Sequence, residues 1–195
     1  MCVRLSEEEL LRLSREGDMY AFEELVGRYE KKVYSIACRF MGSVEDAADM
    51  AQESFLRLYR SLDKYRGEAS FSTWLYHIVS NICRDELRKR GRISAAVLDD
   101  GTLLESAGAN LEALVLEREE QQYLNSLILR LPDDYRVVVV MREIMGFSYE
   151  EIAGVLSCSM GTVKSRLSRS RKLLRDKILD DKVITVGFVK GGGQS

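Results

Sequence analysis

The residues with the clearest chemical potential are the lysines and arginines that crowd two short stretches of the chain. Between Lys164 and Lys177 there are seven bases and one acid, and between Arg84 and Arg92 there are five bases and two acids. Such clusters suit phosphate groups, because electrostatic attraction decays within a Debye length of about 8–10 Å. The whole chain has a net charge of −2, so its basic character is local. A solvated helix face explains either stretch, taken alone, equally well.

The 195 residues give little indication of metal binding, disulfide formation or catalysis. His77 is the single histidine, and the cysteines Cys2, Cys38, Cys83 and Cys158 form no CxxC pair. These spacings argue against a metal site, a disulfide framework, a cofactor and an enzyme. No apolar stretch approaches the ~18 residues of a membrane span, and the N-terminus lacks the apolar core of a signal peptide. We therefore expect a soluble, reduced, cytoplasmic protein.

Helices must position the basic residues, since the chain has one proline and its glycines mostly follow apolar repeats. We predict an all-α fold of two small helical domains, over residues 1–92 and 115–179. Residues 93–114 contain glycine, serine and acidic residues but no base, which predicts a flexible acidic linker. The role of the tail over residues 180–195 stays open.

Capping residues and glycines give the limits of the helices. Ser6 and Ser148 each precede a glutamate by three residues, which indicates two capping boxes. Gly91 is predicted to end the fourth helix, and Pro132 fits the first position of a later one. The predicted helices cover about residues 7–16, 19–41, 44–62, 71–90, 111–130, 132–145, 149–156 and 160–179.

The last two predicted helices form the strongest pattern, a helix-turn-helix. Apolar residues at three- and four-residue spacing face inward: Ile152, Ala153 and Leu156 in the first helix, and Val163, Leu167, Leu174 and Ile178 in the second. Its polar faces present Lys164, Ser165, Ser168, Arg169 and Lys172 to DNA. Gly161 and Thr162 lie at the N-terminus of the second helix, where free N–H groups favour a phosphate. A hairpin with a solvated basic face is the alternative.

Two further clusters allow a functional and a purely structural interpretation. Tyr65, Phe71, Trp74 and Tyr76 precede the basic run from Arg84, an arrangement that suits single-stranded nucleic acid, where stacking contributes ~1–3 kcal/mol per base. The alternative is an aromatic core. The polar face of the helix over 44–62 is either solvated or a surface for a partner, and it contains Asp46, Asp49, Gln52, Glu53, Arg57 and Arg60.

Four motifs together resemble a known family. They are Asp46-Ala-Ala-Asp-Met-Ala-Gln-Glu-Ser-Phe-Leu-Arg-Leu-Tyr, Phe71-Ser-Thr-Trp-Leu-Tyr-His-Ile-Val-Ser-Asn, Leu131-Pro-Asp-Asp-Tyr-Arg and Gly161-Thr-Val-Lys-Ser-Arg-Leu. In this order they resemble a bacterial RNA polymerase sigma factor of the extracytoplasmic-function (ECF) subfamily. The resemblance covers roughly residues 15–92 and 115–178.

The resemblance implies a role for each cluster. The first domain would dock on the β′ clamp helices of core RNA polymerase through Asp46, Asp49, Gln52, Glu53 and Arg57. It would read the melted −10 promoter element through Tyr65, Arg66, Phe71, Trp74, Asn81, Arg84 and Arg88. In the second domain, next to the polymerase β flap, Lys164, Ser168 and Arg169 would read the −35 element, with Arg166 and Arg171 for backbone contact or packing. The acidic linker would follow the RNA path of the polymerase.

The predicted function is therefore promoter-specific initiation, controlled by an anti-sigma factor that holds the protein near the membrane. A flexible tether between two weak readers raises the effective concentration of each without new contacts. A stand-alone helix-turn-helix regulator, acting as a dimer on palindromic sites, is the alternative. It explains residues 149–178 and leaves the motifs over 44–92 without a role.

Overall fold

The computed structural model describes the backbone of residues 5–97 and 119–190, with side-chain surroundings for residues 5–91 and 122–179. Every regular element in these ranges is helical, which confirms the predicted all-α fold. The chain divides into two compact units, with the boundary between Val115 and Leu116. Most of the predicted acidic linker lies outside the described residues.

In the described part of the N-terminal unit there are four helices and one short turn. They are α1 (Glu7–Arg15), α2 (Met19–Met41), α3 (Val44–Ser61), a 3₁₀ turn (Leu62–Lys64) and α4 (Phe71–Val97). The capping box before α1 is present, because Ser6 Oγ accepts from the Glu9 N–H at 3.2 Å and the Glu9 carboxylate accepts from the Ser6 N–H at 2.9 Å. The helices enclose a core that includes Leu10, Leu25, Val33, Ile36, Phe40, Leu58, Leu75 and Val79.

Helix α4 is longer than the sequence predicted. It continues through Gly91 to Val97, so the prediction that Gly91 ends this helix is wrong, and the first residues of the predicted linker are helical. A glycine costs a helix interior about 1 kcal/mol but ends a helix only where its backbone turns left-handed. Gly42, with φ of 74° at the end of α2, does this, whereas Gly91 keeps a negative φ.

Over residues 119–190, the C-terminal unit packs four helices around a second core. They are α5 (Glu119–Leu129), α6 (Asp133–Val139) with a following π turn (Val140–Ile144), α7 (Tyr149–Leu156) and α8 (Met160–Lys190). Helix α8 extends past the predicted end at 179, because β-branched residues weaken a helix only slightly and no proline follows. The core includes Leu127, Leu131, Val138, Met141, Phe147, Ile152, Val163 and Leu167.

Candidate nucleic-acid interface

The predicted helix-turn-helix is formed by α7 and α8. Ser148 begins α7 with the second capping box, in which its Oγ accepts from the Glu151 N–H at 3.1 Å. Ser157 ends α7 in the left-handed region, with φ of 51° and ψ of 46°. This residue turns the chain so that α8 packs against α7, with Ile152 and Val163 both fully buried. No sequence pattern marked Ser157 as the left-handed residue, because glycine is the usual residue at such a position.

The N-terminus of α8 differs from the prediction. Ser159 Oγ accepts from the Thr162 N–H at 3.1 Å, so this N–H is not the free phosphate donor that we expected. Sequence reasoning overlooked Ser159, although a serine three residues before the donor is the usual helix N-cap. Gly161 is nevertheless exposed and Thr162 half-buried, both in the first turn of α8.

The outer face of α8 presents the predicted base-reading side chains to solvent. Lys164, Ser165, Ser168 and Arg169 are all exposed, while Leu167 on the opposite face is 1% exposed. The inner face includes one residue that the apolar pattern missed: Ser170 is fully buried, and its hydroxyl donates to the Arg166 carbonyl at 2.6 Å. The predicted inner residues Leu174 and Ile178, by contrast, are only half-buried.

Two other predicted DNA-contacting arginines are already engaged by carboxylates. Arg166 Nη2 lies 2.6 Å from Asp134 Oδ2, and Arg171 Nη2 lies 2.7 Å from Glu143 Oε1. The hydrogen bond that Arg171 donates to the Glu143 carboxylate raises the pKa of Arg171. These pairs hold the two guanidinium groups on the rim of α8, and all four side chains retain solvent access.

Tyr149 brings further cations to the same surface. Its ring centroid lies 5.0 Å from the Arg142 guanidinium carbon and 5.9 Å from Lys164 Nζ, within the range of cation–π attraction. A cleft of about 510 Å³ beside the ring is lined by the basic face of α8. Its lining residues are Tyr149, Lys164, Leu167, Ser168, Arg169, Arg171, Lys172 and Arg175.

In the N-terminal unit, the predicted aromatic cluster forms around Tyr65. The Tyr65 ring centroid lies 5.7 Å from that of Phe71 and 5.2 Å from that of Trp74. Phe71 is 1% exposed, which contradicts its predicted role as a direct nucleic-acid contact. Its buried ring instead packs against the Tyr65 ring and supports the cluster. Tyr65 and Trp74 are half-buried, while Arg66 is exposed.

Helix α4 continues this surface with polar and basic residues. Asn81, Arg84 and Arg88 lie at three- and four-residue spacing and therefore share one side of the helix. Arg88 is exposed, Asn81 is half-buried, and Arg84 Nη2 lies 3.0 Å from Asp85 Oδ1. The arrangement can hold a nucleic-acid backbone beside the half-buried rings of Tyr65 and Trp74.

The predicted partner surface on α3 divides into two parts. Asp49, Gln52 and Arg57 are exposed, and Glu53 pairs with Arg57 at 3.6 Å between Oε1 and Nη2. Asp46 instead points to α4, where its carboxylate accepts hydrogen bonds from Arg90, with the closest contact at 2.6 Å. This hydrogen bond lowers the pKa of Asp46. Asp46 thus fastens α3 to α4, a role that its position in the sequence did not reveal.

A groove between α2 and α3 lies beside this surface and was not predicted. It encloses about 1010 Å³ and includes Gln52 among its lining residues. Three apolar or aromatic side chains along it remain open to solvent, with Met19, Leu56 and Tyr59 at 49%, 45% and 44% exposure. Large exposed apolar side chains in one groove are typical of an interaction surface.

The described residues contain neither a candidate metal site nor a candidate membrane span. No group of histidine, cysteine or carboxylate side chains in that part of the chain could hold a metal ion. None of the helices in the same ranges is long and apolar enough to cross a membrane.

The fold and the two surfaces define a class: a protein with separate helical modules for nucleic acid, one of them a helix-turn-helix. Residues 25–93 match the Sigma-70 region 2 family, and residues 121–174 match Sigma-70, region 4. The ECF RNA polymerase sigma-E factor of Salmonella typhimurium is 38% identical over 187 residues, which cover 91% of this chain and 97% of that protein. The chain belongs to the ECF family of RNA polymerase sigma factors.

Other relatives agree with this membership. The ECF RNA polymerase sigma-E factor of Haemophilus influenzae is 36% identical, over 91% of this chain and 98% of that protein. Among solved structures, the sigma factor RpoE in complex with the anti-sigma factor NepR, from Bartonella quintana, matches with a TM-score of 0.61 and 25% identity. That match covers 80% of this chain and 94% of RpoE. These likenesses support a sigma factor and not the stand-alone regulator considered above.

Proposed function

We propose that this chain directs core RNA polymerase to promoters by reading duplex DNA at the −35 element with α8 and the melted −10 element with the Tyr65 cluster. The observation that carries this proposal is the division of α8 into a buried face around Leu167 and an exposed face with Lys164, Ser168 and Arg169. A helix of this kind can place its exposed face in a major groove while its buried face stays in the core of the C-terminal unit.

At the −35 element, exposed side chains of α8 meet base edges and the engaged arginines flank them. In this proposal Lys164, Ser168 and Arg169 contact bases. Arg166 and Arg171 either contact phosphates or stay paired with the carboxylates of Asp134 and Glu143. Base contacts specify the sequence, whereas phosphate contacts set the register of the helix on the duplex.

At the −10 element, one unstacked base enters beside Tyr65 and Trp74, and Asn81 contacts a base. Arg84 and Arg88 then hold the strand by its phosphates. Support comes from the aromatic rings of Tyr65 and Trp74, which pack against each other and remain partly exposed. Stacking on such rings contributes ~1–3 kcal/mol per base without the need for a duplex.

Core polymerase docks on α3, through Asp49, Gln52, Glu53 and Arg57, in this proposal. The adjoining α2/α3 groove extends that surface, because Gln52 lines it and Leu56 lies one turn further along the same helix face. The β′ clamp coiled coil, which the family resemblance implies as the partner, is the occupant that we assign to the groove.

An anti-sigma factor controls the protein by covering one of these surfaces. The Bartonella relative was solved with such a partner, which supports the existence of one for this chain. The exposed apolar side chains in the α2/α3 groove would then be shared, at different times, by the inhibitor and the polymerase.

Run-off transcription tests the proposal directly. Purified protein alone should bind promoter DNA weakly, and addition of core enzyme should yield transcripts from promoters mapped by start-site analysis. Gln52→Ala should weaken capture of core polymerase, while Glu8→Ala, on the exposed face of α1, serves as its control. Equal DNA binding with and without core enzyme would overturn the assignment.

A further inference from the structure

The loop that presents Tyr65 is tied to a helix that is distant in sequence. We name residues 62–70 the Tyr65 loop. Arg15, the last residue of α1, donates from Nε to the Leu62 carbonyl at 3.3 Å and from Nη2 to the Tyr65 carbonyl. Its guanidinium carbon lies 5.6 Å from the centroid of the Tyr65 ring. One side chain therefore contacts the backbone at two points of the loop and the ring that the loop presents.

The loop has contacts besides those of Arg15: the Tyr65 ring packs on Phe71 and Trp74 of α4, and Ser70 caps that helix. Tyr65 Oη donates to the Ala69 carbonyl at 2.9 Å, which closes the loop on itself. Gly67, at φ of 76°, makes the turn between them. These contacts hold the loop to itself and to α4, whereas Arg15 hydrogen-bonds the backbone at Leu62 and Tyr65 to α1, across 50 positions of sequence from Tyr65.

Arginine is well suited to this task. Its planar guanidinium offers several donors in a fixed fork, so it can bridge two carbonyl groups and still stack on an aromatic ring. A lysine at the same place would keep the positive charge but could not hold both carbonyls in a fixed geometry.

We propose that Arg15 is a positioning residue for promoter recognition, which holds the Tyr65 loop in the shape that receives an unstacked base. This inference rests on the proposed reading of the −10 element by that loop. A pre-formed pocket binds its ligand without the entropic cost of ordering the loop. Loss of the two Arg15 hydrogen bonds should therefore weaken selection of the correct base more than it weakens general attraction to DNA.

The chain supplies its own probe for the test. Trp74 is the single tryptophan, and its ring lies 5.2 Å from that of Tyr65, so its fluorescence reports on the loop without DNA. Arg15→Gln and Arg15→Lys are compared with Arg12→Gln, one turn earlier on α1. Arg12 is exposed and pairs with Glu16 at 2.7 Å, so it provides a matched control for loss of a surface arginine.

The first measurement is acrylamide quenching of Trp74 in the free protein. We expect Arg15→Gln and Arg15→Lys to make Trp74 about twofold more accessible, because the neighbouring ring is released. Arg12→Gln should leave quenching unchanged. Unchanged quenching in both Arg15 variants would overturn the proposal.

The second measurement is promoter selection by the reconstituted holoenzyme on templates that differ in one −10 base. Arg15→Gln and Arg15→Lys should each lower discrimination by about three- to tenfold, the factor that corresponds to the net free energy of one typical hydrogen bond. If Arg15→Gln weakens all templates equally and Arg15→Lys restores them, Arg15 contacts a phosphate and the proposal fails.

Tyr65→Ala separates this inference from the function on which it rests. If Tyr65→Ala leaves −10 selection unchanged, the proposed role of the loop in base capture is wrong, whatever quenching shows. If Tyr65→Ala abolishes selection while the Arg15 variants keep both selection and quenching, base capture stands and the positioning role is wrong.

Discussion

Replacement of Glu143 by glutamine tests whether DNA and protein compete for Arg171. The two side chains meet at 2.7 Å and are 46% and 55% exposed. An exposed pair of this kind contributes ~0–1 kcal/mol to stability, so a phosphate oxygen can replace the carboxylate at little cost. Glu143→Gln removes the competitor and also a negative charge that repels the DNA backbone.

The expected gain follows from these values. We predict that holoenzyme carrying Glu143→Gln binds −35 DNA about two- to fivefold more tightly at low salt, which corresponds to ~0.5–1 kcal/mol. If Arg171 is freed for one phosphate, the slope of log affinity against log salt should steepen by about 0.9. The variant should retain its fold, because neither side chain is buried.

A double-mutant cycle provides the decisive assay. Affinity for a fluorescent −35 duplex is measured over about 50–200 mM salt, where such contacts are sensitive. In an Arg171→Gln background, Glu143→Gln should lose most of its effect, since the competing pair is already gone. An equal gain in both backgrounds would show that only the long-range charge matters. Weaker binding by Glu143→Gln would show that the carboxylate holds Arg171 in place for DNA, and the reasoning would be refuted.

Three further changes test other parts of the structure. Ser157→Gly should stabilise the protein by up to about 1 kcal/mol in urea unfolding, because relief of the left-handed backbone outweighs the entropy of glycine; destabilisation would contradict this. The pKa of Asp46 is lowered by Arg90, so its contribution is present at neutral pH and lost in acid. Asp46→Asn should therefore cost up to ~1 kcal/mol of unfolding free energy at neutral pH and nothing well below the carboxyl pKa. Lys164→Ala should cost ~1–3 kcal/mol at one −35 position, and an equal loss on every sequence would show a phosphate contact instead.

Local signals in the sequence predicted most of the architecture. Both capping boxes, at Ser6 and Ser148, form as expected, and apolar periodicity located Ile152 and Val163 in the second core. Such signals work because caps and helix faces depend on residues within one turn of each other. Gly91 misled the prediction, since a glycine's effect depends on a backbone angle that the sequence does not reveal.

The sequence predicted which residues belong to the candidate interfaces, but not how those residues are paired in the structure. Lys164 and Arg169 stood out as bases on an exposed face, because helical spacing separates them from Leu167. The ion-pair partners of Arg171 and Asp46 could not be predicted from the sequence. Each partner lies on a different element of the fold, and only the tertiary structure brings the charges together. The same holds for Arg15, which has no local signal and is separated by 50 positions from Tyr65.

The engaged arginines explain how a chain with a strongly basic helix can avoid indiscriminate DNA binding. Asp134 and Glu143 neutralise two guanidinium groups on the rim of α8, and each exposed pair can be displaced by a phosphate at low cost. In the proposed function, a single module would bind weakly, and two modules on one chain, aligned by polymerase, would bind more tightly because the first contact raises the effective concentration of the second. A variant that frees both arginines should gain most of its affinity on non-promoter DNA, because phosphates are the same in every sequence.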